Sequence, residues 1–305
     1  MITPKPLSRG ARVALIDASG PVPEDRLAPA VASVRALGLE PVVFPSCRMR
    51  HGYLAGYDRE RAQDFNDAFA DPSIDGIICI RGGYGAQRLM DRIDWDTAAK
   101  NPKVFCGYSD VTILHMTLNQ RCGFVTYHTP MPATEWYAGL DAYTQRSLEN
   151  ALFGVHETDV LNPPEVPMAT IAKGICRGVL TGGNLSLISA SLGTPYEIDT
   201  KDKILFIEEI GESPYRIDRM LLMLKHAGKL RACSGILLGA FTDCGAPDPE
   251  KSLTLREVFT ELLLDEGKPI LGAVQCGHIL PTMSLPLGVN VSMDATNRTL
   301  QIVEY

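Results

Sequence analysis

Short runs that are apolar from end to end, each cut off by glycine or a charged residue, recur along this chain with helix-like segments between them. "RVALIDASG" is the first, and "PEDRLAPAVASVRALG" follows it with helical spacing and a terminal glycine. "LEPVVFPS" is the second run. The polar-rich helix "DRERAQDFNDAFADP" is stopped by Asp-Pro, and "IDGIICIRGG" is apolar almost throughout. "KVFCGYSD" is another strand, with "DVTILHMTLNQRCG" as its helix. Strands without alternation have both faces covered, and strands separated by helices pair in parallel. The first half therefore predicts a doubly wound parallel α/β sheet.

The pattern breaks between about residues 153 and 175, where "FGVHETDVLNPPEVPMATIAKG" is Pro-rich and lacks helical periodicity. We read residues 1–152 as an N-terminal α/β domain, 153–175 as an extended crossing, and 176–305 as a second α/β domain with a mixed sheet. The second half alternates again, through "GVLTGGNLSLISASLG", "KILFIEEI", "YRIDRMLLMLKHAGKL", "SGILLGAF", "TLREVFTELLLDEG" and "PILGAVQCGH". Its tail, "VNVSMDATNRTLQIVEY", alternates around an Asp/Asn turn and predicts a β-hairpin.

Charge and cysteine usage narrow the function classes. With 29 basic against 36 acidic residues the net charge is −7, and no basic block or polybasic amphipathic segment stands out. That argues against nucleic-acid and membrane-surface partners. The first apolar run is too short for a signal-peptide core, and no run approaches the roughly 18 apolar residues of a membrane span. The eight cysteines are dispersed, without a C-x-x-C pair or Cys/His spacing for a metal, and most lie in apolar runs. A reducing cytoplasm and a chain without metal or cofactor are the expectations.

Ligands of open α/β sheets sit beyond the carboxyl ends of the strands. Four strand ends are polar: "RGGYG" (81–85), "GYSD" (107–110), "EEIGE" (208–212) and "GHILPT" (277–282). Ser109 stands at a strand-to-helix turn, the setting of exposed nucleophilic serines, yet the G-x-S-x-G elbow lacks its last glycine and a helix cap explains the residue as well. Gly82, Gly83 and Gly85 form either a plain turn or an oxyanion loop, and they match no nucleotide-binding pattern. Arg81 and Arg88 suit a substrate carboxylate or nearby acids equally. Glu208 and Glu209 fall on opposite faces of one strand, so only one of them faces a site, and spacing does not choose. Glu212 is explained by the helix that follows it. Of the histidines, His115 and His226 lie within helices and His51 and His156 in polar segments. His128 borders a strand, and His278 ends an apolar strand at a glycine. A serine, an acid and a histidine in that order compose a triad.

The strings "GYDRERAQDFNDAFADPSIDGIICIRGGYGAQRLMDRID", "GYSDVTILH", "GVLTGGNLSLISASLGTPY", "ILFIEEIGESPYRIDRML" and "GH…LPLG" together resemble the LD-carboxypeptidase family of serine peptidases. That family includes murein tetrapeptide carboxypeptidases and microcin C immunity peptidases, and the strings are spread over nearly the whole chain in the family's order. The resemblance implies a triad of Ser109, Glu208 and His278, with the first glutamate of "IEE" chosen. It also implies an oxyanion hole from the Asp110 N–H and the "RGG" loop, with Gly83 favoured over Gly82. A metal-independent, cytoplasmic homodimer is implied as well, acting on muropeptides to release a C-terminal D-amino acid such as D-Ala. A peptidase of aminoacyl-nucleotide antibiotics is the alternative with the same chemistry. A two-domain protein that only binds a small anion is the alternative of another class. One departure is "HTPM" (128–131), where many members carry "HGPM". Beyond it, Trp136 and Tyr137 suit either stacking on a nucleobase or packing at a lid or dimer interface.

Overall fold

The computed structural model of the chain describes residues 1–155 and 157–304. His156 and Tyr305, the latter the last residue of the expected hairpin, lie outside the described residues. Contacts divide the chain into two units, Met1–His156 with Ser284–Gly288, and Glu157–Met283 with Val289–Tyr305.

In the first unit the strands β1 (Arg12–Ile16), β2 (Glu40–Val43), β3 (Gly76–Cys79), β4 (Val104–Gly107) and β5 (Thr126–His128) lie parallel in the order β5-β4-β3-β1-β2. This is the α/β sheet that the apolar runs predict. β3, β4 and β5 are buried at every position, and β1 at all but Arg12. The helix Asp58–Ala70 follows β2. Glu60 accepts the Tyr57 N–H at 2.9 Å at its start, and Asp71-Pro72 ends it. It packs Phe65 and Phe69 against Phe105 of β4, with ring centroids 5.9 and 6.2 Å apart.

The second unit is built on an eight-stranded mixed sheet. Its centre is parallel: β8 (Ile175–Asn184), β9 (Ile204–Ile210), β10 (Gly235–Thr242) and β11 (Ile270–Gly272). β13 (Asn290–Asp294) and β14 (Thr299–Glu304) form the expected terminal hairpin and pair antiparallel beside β8.

Two segments sit elsewhere than the sequence reading places them. Residues 153–175 are not only a crossing: within them β6 (Asp159–Val160) and β7 (Ala169–Ala172) take the two edges of the second sheet. Residues 284–288 belong with the first unit, where β12 (Leu285–Leu287) pairs antiparallel with β5. All three are short strands at sheet edges. An edge strand needs partners on one side only and tolerates proline, here Pro286, so it shows neither a long apolar run nor alternation.

Candidate active site

The first unit brings Ser109, Asp110, Gly82 and Gly83 together at the carboxyl ends of β3 and β4. Ser109 has φ +65°, a left-handed conformation that costs a β-carbon residue about 1 kcal/mol or more. It opens the helical stretch that continues through Thr112–Thr117, and the cap position falls on Tyr108. A strained serine between strand and helix is the geometry of a nucleophile elbow, reached here without the second glycine.

The glycine loop lies directly against it. A β-carbon at Gly82 would stand 3.1 Å from Ser109 Cβ and 3.3 Å from its Oγ. Gly83, at φ +123°, approaches Gly20 so closely that a β-carbon there would lie 3.2 Å from the Gly20 nitrogen. Gly20 N–H donates to the Gly82 carbonyl at 3.2 Å. In a trans peptide the N–H opposes the C=O, so the Gly83 N–H faces away from Gly20. Arg88 makes a bidentate pair with Asp58 at 2.9 Å and holds that carboxyl below its usual range. Arg81 donates to the Pro21 carbonyl at 2.6 Å.

In the second unit, His278 Nδ1 and Glu208 Oε2 are 2.7 Å apart. Glu208 is fully buried at the end of β9, opposite Asn184 of β8, and its Oε1 has no hydrogen-bond partner. Gly277, at φ +120°, makes room for the pair, since a β-carbon there would lie 2.7 Å from Glu208 Oε2. The Thr242 hydroxyl donates to the His278 carbonyl at 2.6 Å and fixes the backbone that carries the ring.

Glu209 points the other way into a saturated environment. Its Oε1 accepts from Asn184 Nδ2 at 2.9 Å, and its Oε2 accepts from the N–H and hydroxyl of Ser186 at 2.8 and 2.7 Å. Asn184 and Ser186 are the residues that sequence reasoning missed here. Their signal was "GGN" after a strand, which puts an N-capping asparagine one turn before Leu187.

The other histidines have other surroundings. His115 is buried, and its Nε2 donates to the Gly107 carbonyl at 2.8 Å while Nδ1 has no partner. Burial lowers its pKa to about 4. His128 is buried edge-on to Tyr108, and His51 stacks on Tyr57. Trp136 is buried within the first unit, and Tyr137 lies under the Arg26 guanidinium at 4.7 Å. The Trp136 ring is not the open platform that base stacking requires, because this turn packs onto the helix Leu27–Ala36. The eight cysteines are free thiols, seven of them buried. Among the described residues no helix is long and apolar enough to cross a membrane.

Comparison with known protein families matches residues 13–129 to the LD-carboxypeptidase N-terminal domain and residues 177–293 to the LD-carboxypeptidase C-terminal domain. The chain belongs to the LD-carboxypeptidase family. This LD-carboxypeptidase family member is 38% identical over 300 residues to the "Probable murein peptide carboxypeptidase" of Bacillus subtilis, covering 98% of this chain and 93% of the relative. It is 30% identical over 281 residues to the microcin C7 self-immunity protein MccF of Escherichia coli, covering 83% and 80%. Among solved structures it superposes on muramoyltetrapeptide carboxypeptidase from Oxalobacter formigenes with a TM-score of 0.84 at 27% identity, over 96% of this chain and 98% of that one. These likenesses make the chain a peptidase of α/β fold.

Proposed function

We propose that this LD-carboxypeptidase family member is a serine carboxypeptidase that hydrolyses an L,D-amide bond and releases D-Ala from muropeptides during peptidoglycan recycling. The observation that carries the reading is the 2.7 Å contact of His278 Nδ1 with buried Glu208. With Nδ1–H committed to the carboxylate, Nε2 is the basic position of the ring. In this reading Ser109 Oγ attacks the amide carbonyl carbon while His278 Nε2 takes its proton. The carbonyl oxygen becomes an oxyanion held by the N–H groups of Asp110 and Gly83, with Gly82 alongside. The new Nε2–H then passes to the amide nitrogen, the C–N bond breaks, and D-Ala leaves as the amine. Water repeats the sequence on the acyl-serine. Glu208 keeps the imidazole in its tautomer and stabilises the imidazolium.

A histidine on a buried carboxylate and a strained serine beside a glycine loop favour catalysis over plain binding of an anion. The murein peptide and muramoyltetrapeptide carboxypeptidase relatives support the substrate class. The likeness to MccF supports an aminoacyl-nucleotide as the competing substrate, although buried Trp136 is not a base-stacking ring. Cytoplasmic location and a homodimer complete the proposal, and sedimentation of the purified protein tests the dimer. The deciding experiment is D-Ala release from an L-Ala-D-Glu-diamino acid-D-Ala tetrapeptide beside turnover of an aminoacyl sulfamoyl adenosine. Ser109→Ala should lower release by about 10⁴-fold or more. Wild-type release by that variant would remove Ser109 as nucleophile, and faster turnover of the nucleotide would move the substrate to the alternative.

A further inference from the structure

Behind Ser109 lies a buried polar knot that the proposed mechanism does not use. Asp110 is 1% exposed, and its Oδ2 accepts the Ser19 hydroxyl at 2.6 Å and the Ala86 N–H at 2.7 Å. The Gly85 N–H also serves the carboxylate. Burial pushes the Asp110 carboxyl above its ordinary range, and these donors pull it back. Ser19 is itself fully buried, and its N–H is held by Asp17 Oδ1 at 3.0 Å. The next residue, Gly20, donates to the Gly82 carbonyl at 3.2 Å. One carboxylate therefore ties together the ends of β1, β3 and β4.

An apolar filler would close the same space without desolvating a carboxylate, which is costly even when its hydrogen bonds are made. What a filler would not do is fix a distance. The residue whose backbone N–H is one proposed oxyanion donor also grips, through its side chain, the loop that carries the other. We propose that the Asp110 carboxylate, locked by the Ser19 hydroxyl, is a positioning device that sets the spacing between the N–H of Asp110 and the N–H of Gly83. It touches no substrate and acts on the developing negative charge through those two donors. This inference rests on the serine-peptidase reading above.

The test is kinetic, with a binding control. Ser19→Ala should lower kcat for D-Ala release about 10- to 100-fold at nearly unchanged KM, since a misplaced oxyanion donor costs transition-state stabilisation and not ground-state binding. Asp110→Asn, which keeps an acceptor oxygen, should lose less than Asp110→Ala. A peptide phosphinate, whose tetrahedral anion needs both donors, should bind Ser19→Ala more weakly by the factor lost in kcat/KM. The tripeptide product should bind as before. A merely structural role would weaken phosphinate and product alike, and that result would overturn the proposal. So would a Ser19→Ala enzyme with kcat within twofold of the parent while Ser109→Ala is inactive. Turnover retained by Ser109→Ala would instead strike the serine-peptidase reading itself. Should Asp110→Ala not fold, Ser19→Ala alone decides.

Discussion

Glu208 and Glu209 are adjacent, equally buried and chemically identical, yet their neighbours give them opposite work. Glu209 spends both oxygens on Asn184 and Ser186, while Glu208 spends one on His278 and leaves the other without a donor. A buried acceptor without a donor is costly to a fold and useful beside an imidazole that becomes positive in the proposed mechanism. Glu208→Gln should therefore cost about 10³- to 10⁴-fold in kcat through loss of the tautomer, with little change in melting temperature. Glu209→Gln should do the reverse. Its amide would face the donors of Ser186, costing about 1–3 kcal/mol of stability while the enzyme that remains folded turns over normally. Paired melting curves and initial rates separate the two, and equal loss of activity in both variants would refute the division of labour.

Ser109 follows the strand β4, whose end is held from behind by the ring of His115, whose Nε2–H donates to the Gly107 carbonyl. The folded-state pKa of about 4 lies below the 6.5 of an unperturbed histidine. As pH falls below 6.5 the unfolded chain therefore binds a proton that the folded chain refuses, and stability is lost progressively down to about pH 4. The difference corresponds to about 3 kcal/mol. Asp17 and Asp110, raised by burial, act in the opposite direction, so parent and variant must be compared at each pH. His115→Gln should remove this part of the acid slope in denaturant titrations between pH 7 and 4, and an unchanged slope would contradict the neutral buried ring. At this scale much was legible in advance. The chain at Gly82, Ser109 and Glu208 announces itself as apolar runs stopped by polar residues, whereas His278 does not end a strand as expected: β11 stops at Gly272 and irregular chain carries the ring. The end of β1, "DASG", obeys the same rule, and Ser19 was open to the same argument. The strain at Ser109 and the choice between the two glutamates were not legible from composition and spacing. Both depend on what later parts of the chain place on each face of the strand.

The whole molecule is less separable than its two halves suggest, because β12 closes the first sheet with residues that follow His278 in the chain. Asn119 Nδ2 lies 3.4 Å from the Leu287 carbonyl, and the Ser284 N–H donates to the Ser147 hydroxyl at 2.8 Å. A fragment of residues 1–152 would keep five strands and expose the buried edge of β5, Thr126 to His128, an open template for aggregation. It should melt well below the full chain, or precipitate, and recover partly when a peptide of residues 283–289 is added. Circular dichroism and light scattering would show this, and a monomeric fragment as stable as the parent would refute it. Short edge strands carry little pattern, which is why composition divides this chain cleanly and topology does not. On the ribosome the same thread imposes a schedule. The sheet that carries the proposed nucleophile stays unfinished until Leu285–Leu287 have emerged, and by then the proposed base has already been made. A nascent chain cut short before β12 leaves the edge of β5 unsealed.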